Sequence, residues 1–203
     1  MKLTTITQIS VDGVMQGNGP SEEDRKAGFE RDGWAIAHFD DEAVTFVNQF
    51  CQRAGAFLFG RRTYEIFAPY WGTQDPGSGP IADAFNTKPK YVVSATLTEP
   101  SWADTTLLAG DLAAAIGRLK AEPAGELQVH GSGALVRWLL ANDLVDEVNL
   151  LVFPVVVGQG TRLFPATGPD LALDLVELRS TPKGVTIQVY RPTGRPKYEA
   201  VTA

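Results

Sequence analysis

Two short stretches carry the residue types that hold an anion. At 60–65 the chain reads Gly-Arg-Arg-Thr-Tyr-Glu, directly after the apolar run 56–59. A glycine there lets a ligand approach the backbone, Arg61 and Arg62 offer paired guanidiniums to a phosphate, and Thr63 offers both a helix cap and a hydroxyl donor. The start of a helix normally favours acids, so two arginines at one suggest a missing anion. The competing reading is a solvated basic pair, or an ion pair to Glu65. At 131–135 the chain reads Gly-Ser-Gly-Ala-Leu, again between strand-like and helix-like patterns. Amides at the positive end of a helix dipole, with no side chain in the way, suit a phosphate. The alternative is a tight turn and nothing more. The stretch does not complete G-x-G-x-x-G, since Val136 stands where the third glycine would be.

These two junctions need a scaffold, and the apolar periodicity supplies one. Residues 3–11 are rich in Thr, Ile and Val and predict a strand that Asp12-Gly13 closes. The stretch 15–40, with many glycines and charges, predicts a long loop. Trp34 and Phe39 within it favour closure over something apolar. An acid at 40 or 41 opens a helix to about Arg53, and Gly55 begins a short buried strand ending at Gly60. Phe67, Tyr70 and Trp71 follow on the next helix, where they would line an apolar pocket or belong to the core. Residues 69–83 predict a Pro/Gly-rich connection over the surface. Residues 90–95 predict a strand ending at Ser94, Leu107 and Leu108 another, and residues 112–119 an amphipathic helix. Leu127 and Val129 alternate as a strand, residues 135–140 repeat at helical spacing, and residues 147–157 form a further strand. Residues 171–178 and 185–190 read as an antiparallel hairpin about Thr181-Pro182-Lys183-Gly184. Alternating strands and helices followed by a hairpin predict a mostly parallel sheet with an antiparallel edge. Ligands of such sheets sit at the carboxyl ends of the strands, where Gly60, Ser94 and Gly131 all fall.

Composition narrows the partners. A chain of 203 residues, 44% hydrophobic and 21% charged, predicts one globular domain over 1–203. A net charge of -6 argues against nucleic acid or an anionic membrane surface as the partner and favours a small molecule held locally. Cys51 is the only cysteine and His38 and His130 the only histidines, which leaves no basis for a metal site. No signal-like or membrane-length apolar run is present, so the expected location is cytoplasmic.

Taken in order, Ser-x-Asp-Gly at 10–13, the motif at 60–65, Tyr-Val-Val-Ser at 91–94, the glycine turn before Ala-Leu-Val-Arg-Trp-Leu-Leu at 134–140, and the run 146–164 resemble the dihydrofolate reductase-like superfamily. The nearest branch is that of the C-terminal reductase domain of the bifunctional riboflavin-biosynthesis deaminase/reductase. The resemblance implies an α/β, three-layer dihydrofolate reductase-like fold, with a mostly parallel central sheet and a C-terminal antiparallel hairpin. It also implies an NADPH-dependent reductase, often a homodimer, acting on a pteridine- or pyrimidine-like or carbonyl substrate. By position it assigns Gly60, Arg61, Arg62 and Thr63, with Ser94 nearby, to the phosphates of the adenosine half. Gly131, Ser132, Gly133, Ala134 and Leu135 would cradle the pyrophosphate, and Met15 and Gly17 would border the nicotinamide. Phe67 matches a substrate-pocket position, and Trp34 and Trp71 are further candidates for that pocket. The chain departs from the branch at Ala95, where an arginine often follows the serine, and at His130, where a glutamate tends to precede the glycine turn. Dihydrofolate reductase proper, which needs an acid on its first helix, and a non-catalytic nucleotide-binding module remain alternatives. Hydride transfer also needs a proton, and His130 and Asp41 are the candidates for its route. With Ala95 in place, discrimination for NADPH rests on the two arginines. Arg61→Ala and Arg62→Ala are each expected to weaken NADPH binding more than NADH binding in paired titrations, and equal losses would place the 2'-phosphate elsewhere.

Overall fold

The computed structural model describes residues 1–19, 22–75 and 77–199. Strand β1 (Lys2–Ser10) runs through the middle of the sheet. It ends where the Ser10 hydroxyl donates to Asp12 Oδ1 at 2.7 Å and the amides of Val157 and Gly158 donate to the same carboxylate, each at 2.9 Å. The Ser10 hydroxyl above all, and then those amides, hold the Asp12 carboxyl well below the usual range. The segment predicted as one long loop contains a short helix, α1 (Glu22–Lys26), and a 3-10 turn at Ile36–His38. It is tied down by Phe29, which is buried against Val14 and Val157.

Helix α2 (Asp41–Gln52) is capped by Asp40, whose carboxylate accepts from the Ala43 amide. Its inner stripe, Ala43, Phe46, Val47, Phe50 and Cys51, follows the helical repeat. Strand β2 (Ala54–Gly60) passes without a spacer into α3 (Arg61–Trp71). Next comes α4 (Pro80–Thr87), in the stretch predicted as a surface connection. The breakers mark its start: Gly79 is the N-cap, Pro80 occupies the first turn where its missing N–H costs nothing, and Ala82, Ala84 and Phe85 are buried. Strands β3 (Lys90–Val93) and β4 (Thr105–Leu108), helix α5 (Leu112–Ala121), strand β5 (Glu126–His130), helix α6 (Gly133–Ala141) and strand β6 (Glu147–Phe153) complete the parallel part. β6 stops at Pro154, short of the predicted Val157, because proline has no amide for the ladder. Strands β7 (Ala172–Ser180) and β8 (Thr186–Gly194) form the predicted hairpin.

The sheet order is β4-β3-β2-β5-β1-β6-β8-β7, parallel from β4 to β6 and antiparallel at β8 and β7. Strand alternation divides the core into two layers. Phe57 and Phe59 of β2 pack with residues of α2, α3 and α4, while Ala56 and Leu58 face the opposite cluster with Ile116 of α5 and Leu135, Val136 and Leu139 of α6. This is the three-layer α/β architecture expected from the sequence. Among the described residues, no helix is long and apolar enough to cross a membrane.

The same alternation settles His130. Leu127 and Val129 face one layer, so Gln128 and His130 face the other, where His130 meets the rings of Phe50, Phe57 and Phe85 at 5.5, 5.5 and 5.1 Å. Burial pushes the imidazole pKa down to about 3. In the unfolded chain it titrates near 6.5, so acidification protonates the unfolded state first. Stability is then lost as pH falls from about 6.5 towards 3. Chemical denaturation between pH 6.5 and 4.5 is expected to show stability declining by about 1.4 kcal/mol per pH unit at its steepest, and His130→Phe is expected to flatten that slope. An unchanged slope in the variant would assign the loss to other groups.

Candidate functional site

The two anion-suited stretches meet. β2 and β5 are adjacent and parallel, so both end at one edge, and each is followed at once by a helix. The Gly60 amide donates to Ser132 Oγ at 3.0 Å, and the Ser132 amide donates to Thr63 Oγ1 at 3.1 Å, which bolts the β2–α3 junction to the β5–α6 junction. The Gly131 amide donates to the Ile6 carbonyl, so β5 stops opposite Ile6 while β1 continues to Ser10. Residues 7–10 of β1 therefore keep β6 on one side and lose their neighbour on the other.

That gap opens into a cavity of about 610 Å³. Its upper wall is the pair of helix starts, Gly60 to Thr63 and Gly131 to Leu135. Neither α3 nor α6 has a side-chain cap, whereas α2 and α5, which begin away from the cavity, are capped by Asp40 and Asp111. The first-turn amides of α3 and α6 are thus left for something other than a side-chain cap. Gly131 has φ +56°, and a Cβ there would meet Thr63 Oγ1 at 3.8 Å, an ordinary van der Waals contact, so the backbone conformation is what favours glycine. At Gly133 a Cβ would lie 2.4 Å from Met15 Sδ, so the Met15 side chain would have to move aside. Ser132 itself holds φ +49°, a conformation that costs a non-glycine residue roughly 1–2 kcal/mol. Its two bonds across the junction hold it there.

Arg61, Arg62 and Arg137 line the cavity, against a single acid among the described lining residues, Asp24. The overall charge is -6, so the positive field here is local. Arg61 Nε donates to Glu65 at 2.6 Å, as the ion-pair reading anticipated, and its guanidinium also reaches Thr96. Arg62 donates to Asp24. Arg137 reaches the carbonyls of Arg162 and Leu163 at 3.2 and 3.3 Å. Phe67, Ile66, Tyr70 and Trp71 supply an apolar wall on α3. Thr7, whose buried hydroxyl has no hydrogen-bond partner among the described residues, faces the same space.

Of the residues proposed from the sequence, the cavity gathers Met15, Gly17, Gly60, Arg61, Arg62, Thr63, Gly131, Ser132, Gly133, Ala134, Leu135, Phe67 and Trp71. Four of the proposed positions lie outside the cavity lining. His130 faces the aromatic core instead of the cavity, and Asp41 stands exposed on the first turn of α2, beside its cap Asp40. Ser94 Oγ closes its own turn, accepting from the amides of Thr96 and Leu97 at 3.1 and 2.9 Å. Trp34 donates to the Gln16 carbonyl at 2.8 Å and sets its ring edge-on against Phe153, so it fastens the loop without forming cavity wall. Sequence reasoning missed Asp24, Gln8, Thr7 and Arg137. Arg137 was within reach, since it lies one helical turn beyond Gly133.

The family described as the RibD C-terminal domain matches residues 1–187. The chain is 26% identical to the uncharacterized protein YyaP of Bacillus subtilis (strain 168) over 188 residues, covering 92% of each. Among solved structures, a Shewanella sp. PV-4 protein provisionally named for riboflavin biosynthesis superposes with a TM-score of 0.66 at 21% identity, over 95% of this chain and 99% of that one. A pyrimidine reductase-like protein from Corynebacterium diphtheriae gives 0.63 at 14% identity, over 95% and 92%. A nucleotide seated on this turn would be crowded by the branched side chain of Gly131→Val, and titration of the variant with NADPH is expected to show no binding. The positive φ should add a stability loss of about 1–2 kcal/mol, with the circular dichroism spectrum of the fold retained. Unchanged affinity would remove the glycine turn from the site.

Proposed function

Because this chain belongs to the RibD C-terminal domain family, we propose that it is a reductase that takes NADPH and reduces a small heterocycle, pteridine- or pyrimidine-like, or a small carbonyl compound. The observation that carries this reading is the convergence of two helix starts without side-chain caps and three arginines on one cavity beside an apolar wall. Amides, guanidiniums and an open glycine turn fit the diphosphate of a dinucleotide. The one-sided edge of β1 at residues 7–10 and the Thr7 hydroxyl, without a partner among the described residues, fit a carboxamide, which both donates and accepts. Phe67, Ile66 and Trp71 fit a flat acceptor ring.

The bound nicotinamide would supply the hydride. The protein's part is to hold the two rings in register and keep the space between them dry. Met15, packed on Gly133, fixes the floor beside the glycine turn, and the loop that carries Met15 to Gly19 closes one side. The accompanying proton is assigned to water admitted at the mouth, since neither His130 nor Asp41 forms cavity wall.

Titrating the protein with NADPH and NADH while following nicotinamide fluorescence tests the cradle, and adding dihydrofolate, flavin-pathway pyrimidines or small quinones tests the chemistry. Tighter binding of NADPH, with oxidation that depends on an acceptor, is expected. Binding without oxidation by any acceptor would favour a nucleotide-binding module, and turnover of dihydrofolate alone would favour dihydrofolate reductase proper.

A further inference from the structure

The sequence suggests a missing anion at the start of α3, and the structure supplies one from the chain itself. Asp24, on the short helix α1, is only 4% exposed although it lines the cavity. Its Oδ1 accepts from Gln16 Nε2 at 2.9 Å and from the Arg62 guanidinium. A buried carboxylate is tolerated where cations and donors compensate it, and both of these partners belong to the cavity wall. Gln16 in turn accepts from the Thr161 amide at 3.0 Å, so Gln16 and Asp24 tie α1 to the far wall and to α3 together. The Arg62 side chain meanwhile stays 58% exposed, open to a second anion.

A phosphate arriving at the first turn of α3 meets that carboxylate already seated on the guanidinium. Two anions on one arginine repel each other at close range. From this we infer that Asp24 is an internal counter-anion: it holds the loop against α3 through Arg62 and gives way to a phosphate of the cofactor, so it sets how tightly the nucleotide is held. The inference rests on the NADPH reading of the cavity. No bond is made or broken in the exchange, which swaps one charge-assisted contact for another.

The test measures dissociation constants for NADPH and for inorganic pyrophosphate by calorimetry, in the wild type, in Asp24→Asn and in the charge-retaining Asp24→Glu. The melting temperature of the ligand-free proteins is read alongside. Asp24→Asn is expected to melt lower when empty and to bind both ligands roughly threefold tighter or more, the scale of a partly exposed ion pair. Asp24→Glu should stay near the wild type, and Asp24→Ser repeats the measurement should the amide variant fold poorly. Equal or weaker binding by the neutral variants, with NADPH still bound by the wild type, overturns the counter-anion role and leaves the cofactor reading standing. Tighter pyrophosphate without NADPH binding keeps the counter-anion and removes the cofactor reading. Binding of neither ligand by any of the proteins removes both.

Discussion

Two hydrogen bonds between neighbouring junctions hold the functional geometry together. Gly60 N–H to Ser132 Oγ and Ser132 N–H to Thr63 Oγ1 are each worth about 1 kcal/mol, too little to account for the fold. Their importance is positional. They fix the starts of α3 and α6 side by side, so that two helix dipoles and two sets of first-turn amides point into one space. They also hold Ser132 in its left-handed conformation, which ends β5 early and leaves the edge of β1 open beside the gap. Slipping either strand by one residue would turn its side chains to the other layer and part the junctions.

Much of this was legible in the sequence because it is local. A strand-like run followed by glycine and then helical periodicity locates a junction without any tertiary knowledge, and residues 60–63 and 131–135 were found that way. The α2 cap and the terminal hairpin were legible for the same reason. What could not be read is what depends on distant segments meeting. Asp24 and Arg62 lie 38 residues apart, and nothing in either neighbourhood announces the other. Helix α4 was hidden by composition: glycine and proline are breakers inside an element but an ordinary start to one, and only the burial of Phe85 distinguishes the two cases.

His130 and Asp41 stand outside the cavity for one physical reason. Residue type and nearness in sequence point to both, while orientation is decided by periodicity. At the end of β5 the alternation that sends Val129 to the α5/α6 layer sends His130 to the phenylalanines of the other. The turn towards the cavity begins only at Gly131. Asp41 is displaced by a similar margin, because Asp40 takes the cap and leaves its neighbour facing solvent. Ser94 shows the complementary case, in which a hydroxyl at a strand end, the position expected to meet the ligand, is already used by the two amides that follow it.

In a protein of net charge -6, both arginines at the start of α3 are paired with acids. Arg61 and Arg62 would be mobile and self-repelling if left bare at the positive end of α3. Each is instead held by an acid, Glu65 one turn along the same helix for Arg61 and Asp24 on α1 for Arg62. The Arg61–Glu65 pair is exposed at both ends and contributes roughly 0.2–1 kcal/mol, so it orders its guanidinium without making it costly to redirect, whereas the Arg62 pair ends on a buried carboxylate. The difference between their partners, one within its own helix and one on α1, makes Arg62 the arginine that ties α1 to the start of α3.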